Sequence, residues 1–126
     1  MAVPILKQGP VLIATVQDAL TDRDLIQLRD DIAARVGILR STGVVIDVTL
    51  LDVLDSFACR TLRGIAETAR LRGARTVVAG IQPDVAMSMV QLGLTLGATA
   101  TALDLEEALE ALMGVGEGGI GAYAGS

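Results

Sequence analysis

Gly43-Val44-Val45-Ile46-Asp47-Val48-Thr49-Leu50-Leu51-Asp52-Val53-Leu54-Asp55-Ser56-Phe57-Ala58-Cys59-Arg60 decides how this chain is read. Val44 to Val48 is a short β-branched apolar run bounded by Gly43. It predicts a strand buried on both faces, of the kind found at the centre of a largely parallel sheet. A loop with two carboxylates, Asp52 and Asp55, follows. Ala58, Leu62, Ile65 and Ala69 then recur at helical spacing, so a helix begins at Ser56. A hydroxyl therefore stands at a helix N-terminus, beside two acids, beyond the end of a central strand.

Working outward, the chain alternates strands and helices. Ile5-Leu6-Lys7 and Val11–Val16 predict two strands joined through Gly9-Pro10, an edge hairpin whose turn suits a residue lacking an N–H. Thr21 predicts the cap of a first helix, with Asp22 and Asp24 at its positive end and Leu25, Leu28, Ile32 and Val36 on its buried face. That helix should end by Gly43, and Gly37 weakens its last turn. The second helix runs from Ser56 to about Arg72 and is closed by Gly73. Thr76–Ala79 predicts a strand and Pro83 the first position of a third helix, with Val85, Met89 and Leu92 facing inward and Gly93 or Gly97 closing it. Met87 and Met89 are expected as gap-filling core or rim. Thr99–Ala102 is a weak last strand, and Asp104 caps a last helix with Leu105, Ala108, Leu109 and Leu112 as its stripe. The order β-β-α-β-α-β-α-β-α predicts an α/β fold with a mixed, mainly parallel sheet, an N-terminal edge hairpin and helices packed against it.

Composition narrows the function. One domain is expected from 126 residues, over residues 1–113, followed by a glycine-rich, disordered tail over 114–126. Aromatic residues are 2% of the chain against 52% hydrophobic, so the core must be aliphatic. There is no histidine and one cysteine, Cys59. Zinc sites and His-dependent nucleophilic catalysis are thereby excluded, and no metal or cofactor is expected. Cys59 reads as a small buried apolar group and fits a reducing cytoplasm. A net charge of −5 without aromatic platforms argues against nucleic acid. No apolar run approaches the ~20 residues of a membrane span, and no export signal is seen, so a soluble cytoplasmic domain is expected.

Several chemistries can be weighed against the residues. The chain has neither a Walker-type nor a dinucleotide-type glycine loop, and its one lysine, Lys7, lies far from any strand-to-helix turn. A phospho-receiver built on Asp47 lacks both a convincing acidic partner, Asp18 being too distant, and a later lysine. Asp52 and Asp55 share one short loop, where turn and capping roles compete with a glycosidase-type pair. Arg60, Arg63, Glu67 and Arg70 fall on one stripe of the second helix. They read either as a solvated face or as a docking surface for an acidic partner. Ser56 reads as an N-cap, as a phosphoacceptor, or as both. A phosphate there would add about −1.5 to −2 charges at a helix N-terminus beside two acids.

The segments Pro4-Ile5-Leu6-Lys7, Gly43-Val44-Val45-Ile46-Asp47, Asp55-Ser56-Phe57, Gly80-Ile81-Gln82-Pro83 and Thr101-Ala102-Leu103-Asp104-Leu105-Glu106 carry a resemblance. In that order they resemble the STAS domain of bacterial anti-sigma-factor antagonists, more closely the RsbS-type scaffold proteins of the stressosome. The resemblance covers about residues 3 to 112. Phe57-Ala58-Cys59 stands where simple antagonists have a small, glycine-containing sequence, which favours the RsbS type. The resemblance implies a non-enzymatic protein whose Ser56 is phosphorylated by an RsbT-type serine kinase. It implies co-assembly with RsbR-type STAS proteins, a homodimer, and resetting by an RsbX-type phosphatase. A kinase-docking surface would then lie near the phosphosite, with Asp52, Asp55, Arg60 and Arg63 as candidates. The alternative is a stand-alone anti-sigma-factor antagonist. A small-molecule or nucleotide-binding module has no motif behind it.

Overall fold

A computed structural model of the protein describes residues 3–17 and 20–114. The predicted order is found, as β1 (Ile5–Gln8), β2 (Val11–Thr15), α1 (Asp22–Leu39), β3 (Gly43–Asp47), α2 (Ser56–Leu71), β4 (Arg75–Ala79), α3 (Pro83–Gln91), β5 (Ala100–Ala102) and α4 (Leu105–Met113). The glycine-rich tail expected to be disordered lies, beyond Gly114, outside the described residues. Strand bounds shift by a residue from those predicted. Val16, for example, leaves the ladder geometry while its N–H still donates to the Asp47 carbonyl at 2.9 Å.

The five strands stand in chain order, β1-β2-β3-β4-β5, with β1 antiparallel to β2 and every other pair parallel. β3 is the middle strand, and Val44, Val45 and Ile46 are completely buried, as a two-sided apolar run requires. Because β2, β3, β4 and β5 follow one another across the sheet, the three right-handed crossovers must place α1, α2 and α3 on the same face. Alternate strand residues confirm it. Leu12, Ala14, Val44, Ile46 and Val78 pack with Leu28, Leu62, Ile65 and Met89 of those helices. Val11, Ile13, Val45, Val77 and Ala79 point the other way and meet Ala108, Leu109 and Leu112 of α4. One nine-residue helix thus covers the second face. Gly43 allows its close approach, since a Cβ there would lie 3.0 Å from Leu112 Cδ1.

Helix ends follow the capping chemistry. Thr21 accepts from the Asp24 N–H, and the Asp24 carboxylate accepts from the Thr21 N–H, a reciprocal capping box. That backbone hydrogen bond holds the Asp24 carboxyl below the usual carboxylate range. At the other end of α1, Arg40 takes up left-handed backbone at φ 52°, with no glycine at the position. α3 closes at Gly93, the first of the two glycines expected to end it, but the residue before it does not face as expected. Its last helical residue is Gln91, and Leu92, expected to face inward, is 66% exposed. As the C-cap it has left the helical stripe, and Leu94 and Leu96 turn back to the core in its place.

Candidate functional site

The site is built where the central strand ends. After β3 the Asp47 carboxylate accepts from both the N–H and the hydroxyl of Thr49, at 3.0 and 2.6 Å. This side-chain turn folds the chain sharply away from the strand. It also occupies the carboxylate that a phospho-receiver would need free. The loop is then pinned by two apolar anchors, Leu51 and Leu54, which enter the core. Between and beside the anchors, Leu50, Asp52, Val53, Asp55 and Ser56 point outward. Leu50 is 54% and Val53 62% exposed, so two large apolar groups stand in solvent on the loop that leads to Ser56.

Ser56 is not the cap of α2. Asp55 has the extended backbone of an N-cap and its Oδ1 accepts from the Ala58 N–H at 2.8 Å, which leaves Ser56 as the first helical residue. The physical reason is reach. A carboxylate one residue earlier meets the third helical amide well, and a serine at the first helical position is not needed for it. Ser56 is exposed, and its hydroxyl makes no hydrogen bond with the other described residues. The N–H groups of Ser56 and Phe57 at this helix start have no intrahelical acceptor, so the end carries partial positive charge.

The remaining candidates separate. Asp52 and Asp55 precede Ser56 and, with Asp22 at the start of α1, line a cleft of about 200 Å³ together with Leu25, Leu51 and Ala58. Arg60 lies one turn beyond Ser56 on the same face, its guanidinium 6.0 Å from the centre of the Phe57 ring. Arg63 does not join this corner. Its Nη1 donates to the Thr95 carbonyl at 2.6 Å, in the connection after α3 rather than the loop before Ser56. Cys59 is buried, and burial pushes its thiol up, which suits a core group rather than a nucleophile. Among the described residues no group of His, Cys, Asp and Glu could hold a metal, and no helix is long and apolar enough to cross a membrane.

Two positioning residues were not assigned from the sequence. Gln82 Nε2 donates to the Thr49 carbonyl at 2.6 Å, tying the start of α3 to the loop that leads to Ser56. Gly80, at φ 82°, lies so close beneath Thr49 that a Cβ would collide with the Thr49 side chain. Both belong to the Gly80-Ile81-Gln82-Pro83 segment, whose signal was visible as a motif but whose contact is 33 residues away in the chain. Leu50 and Val53 were missed because alternating apolar pairs do not say which member turns inward.

The comparisons with known proteins agree with this fold. The STAS domain model matches residues 2–108, and the chain belongs to the STAS domain family. Within the family its likeness is to RsbS. It superposes on a serine-to-glutamate variant of Moorella thermoacetica RsbS with a TM-score of 0.78 and 33% identity, covering 91% of this chain and 97% of that one. A chain from the molecular architecture of the stressosome, described as a signal integration and transduction hub, gives a TM-score of 0.75 and 35% identity, over 89% of this chain and 97% of that one. The RsbT co-antagonist protein RsbRA of Bacillus subtilis is 34% identical over 71 residues, which span 56% of this chain and 26% of that protein. The fold and these likenesses make the chain a STAS-domain signalling protein.

Proposed function

We propose that the chain is a non-enzymatic scaffold of a stressosome, assembled with RsbR-type STAS proteins, that holds an RsbT-type serine kinase until Ser56 is phosphorylated. The observation that carries the reading is the Ser56 hydroxyl, exposed at the first position of α2 and free of other described residues. In the reaction the Ser56 oxygen attacks the γ-phosphorus of ATP, ADP departs, and the serine proton passes to a base of the kinase. Leu50 and Val53 supply apolar contact for the docked kinase, and Asp52, Asp55 and Arg60 supply its polar rim. A phosphate adds about −1.5 to −2 charges among those carboxylates. Repulsion and the cost of desolvating it then oppose the contact, with Arg60 one turn away as a partial counter-charge. Charge at a serine is also what the glutamate variant of the similar RsbS introduces. An RsbX-type phosphatase restores the hydroxyl, and the STAS domain pairs as a homodimer within the assembly.

Intact mass after incubation with the kinase and Mg-ATP tests the assignment. One phosphoryl group is expected on the wild type and none on Ser56→Ala, and full labelling of the alanine variant removes Ser56 from the mechanism. Kinase binding should survive in Ser56→Ala and weaken in Ser56→Asp. Equal affinities sink release by charge. Particle size decides the assembly. A megadalton particle with an RsbR-type partner supports the scaffold, whereas a lasting small complex supports a stand-alone antagonist.

A further inference from the structure

Helix lengths leave part of the sheet uncovered. α2 has 16 residues and α3 only nine, so α3 reaches about 14 Å along the sheet against about 24 Å for α2. Past the end of α3 the first residues of β4 meet the 94–99 connection and the second half of α2. Between that connection and the C-terminal half of α2 lies a groove of about 480 Å³, within the range of small-ligand sites.

Its chemistry is two-part. Ala66, Ala74, Leu96, Ala98 and Ala100 make an apolar lining. Arg63, Arg70 and Arg75 stand around it against one carboxylate, Glu67, on a chain whose net charge is −5. The three guanidinium groups differ in commitment. Arg63 is spread over Gly97 and held by the Thr95 carbonyl, so it is fixed in place. Arg70 gives Nε and Nη2 to Glu67, at 3.2 and 2.6 Å. The Arg75 side chain pairs with no carboxylate of the described residues. Beside them Thr76, on the same sheet face as Val78, also lines the groove. It is 7% exposed and its hydroxyl has no hydrogen-bond partner among the described residues. A buried hydroxyl without a partner is destabilising, and a bound acceptor reached by a turn about χ1 would satisfy it.

We propose that this groove binds a small organic anion, a phosphate ester or a carboxylate with a short apolar body. The anionic head lies between Arg70 and Arg75 and the body rests on the alanine and leucine lining. α2 carries this groove on its second half and Ser56 at its start, yet the binding requires neither the kinase nor the phosphate.

The test is a 15N NMR titration of the whole chain with phenyl phosphate, benzoate and inorganic phosphate at equal ionic strength. Saturable shifts confined to residues 63–76 and 94–100 are expected for phenyl phosphate or benzoate, and the tighter of the two names the head group. The organic ion should bind at least tenfold more tightly than inorganic phosphate, because only it uses the apolar lining. Arg75→Glu should lose at least tenfold and Thr76→Val severalfold, with unfolding midpoints close to wild type. Equal affinity for inorganic phosphate, meaning an adventitious ion only, overturns the proposal. So does the absence of saturation at millimolar concentration, or undiminished binding by Arg75→Glu. None of these results bears on Ser56, so this site and the kinase switch can fail separately.

Discussion

Asp55 and Ser56 divide two tasks at the start of α2. The carboxylate caps the helix, so the hydroxyl beside it carries no structural bond among the described residues. Removing the cap by Asp55→Ala should cost about 1 kcal/mol, within the usual 0.5–2 for an N-cap. Ser56→Ala should stay within about 0.5 kcal/mol of wild type, as an exposed site without a partner. Urea unfolding of the two variants checks the division, and a larger loss for Ser56→Ala would reverse it. Gly80 is the other residue whose identity geometry dictates. Gly80→Ala places a side chain on left-handed backbone and against Thr49, so a loss of about 1–3 kcal/mol is expected. Amide shifts from Thr49 to Ser56 should move with it. A stable variant with an unmoved loop would mean that Thr49 yields freely.

At the scale of elements, helix starts were legible, and so were the ends marked by a glycine, Gly73 after α2 and Gly93 after α3. Thr21, Pro83 and Asp104 announce their helices because the capping or first-turn residue is local to them. The end of α1 shows no such signal. Arg40 adopts the left-handed turn that glycine usually serves, because Ser41 and Gly43 must re-enter the sheet at once. Relieving that backbone makes Arg40→Gly stabilising by about 0.5–1 kcal/mol, read as a raised unfolding midpoint with an unchanged slope. A lowered midpoint would show that the arginine side chain contributes more than its backbone costs. At the end of α3 the closing glycine was legible, and the facing of the residue before it was not. Leu92 continues the helical spacing, yet Gly93 at φ 71° follows and turns the chain out of the helix.

For the whole molecule, unequal cover implies unequal stability. β3 is paired on both sides and buried on both faces, while β5 is a three-residue edge strand with two exposed residues. Native-state hydrogen exchange should therefore be slowest in β2, β3 and β4 and faster in β5, which opens locally. Equal protection of β5 and β3 would contradict this, and would suit an edge covered by a second chain. The same asymmetry leaves the far end of β4 open beside α2, and places the Ser56 corner and the cationic groove on opposite halves of one helix.

The residues by themselves determined the element order, the central strand, the buried stripes and the corner holding Ser56, because each depends on periodicity or on a cap a few positions away. They also marked Gly80-Ile81-Gln82-Pro83 as distinctive without assigning it a contact. Only the tertiary structure decided that the strands stand in chain order, so that three helices share one face. It alone showed Leu51 and Leu54 turning inward while Leu50 and Val53 face water, Gln82 holding Thr49, and Arg63 bonding Thr95 instead of joining the Ser56 corner. Those outcomes rest on contacts between residues some thirty positions apart, or on which side of a loop the core lies. Local propensity carries no term for either.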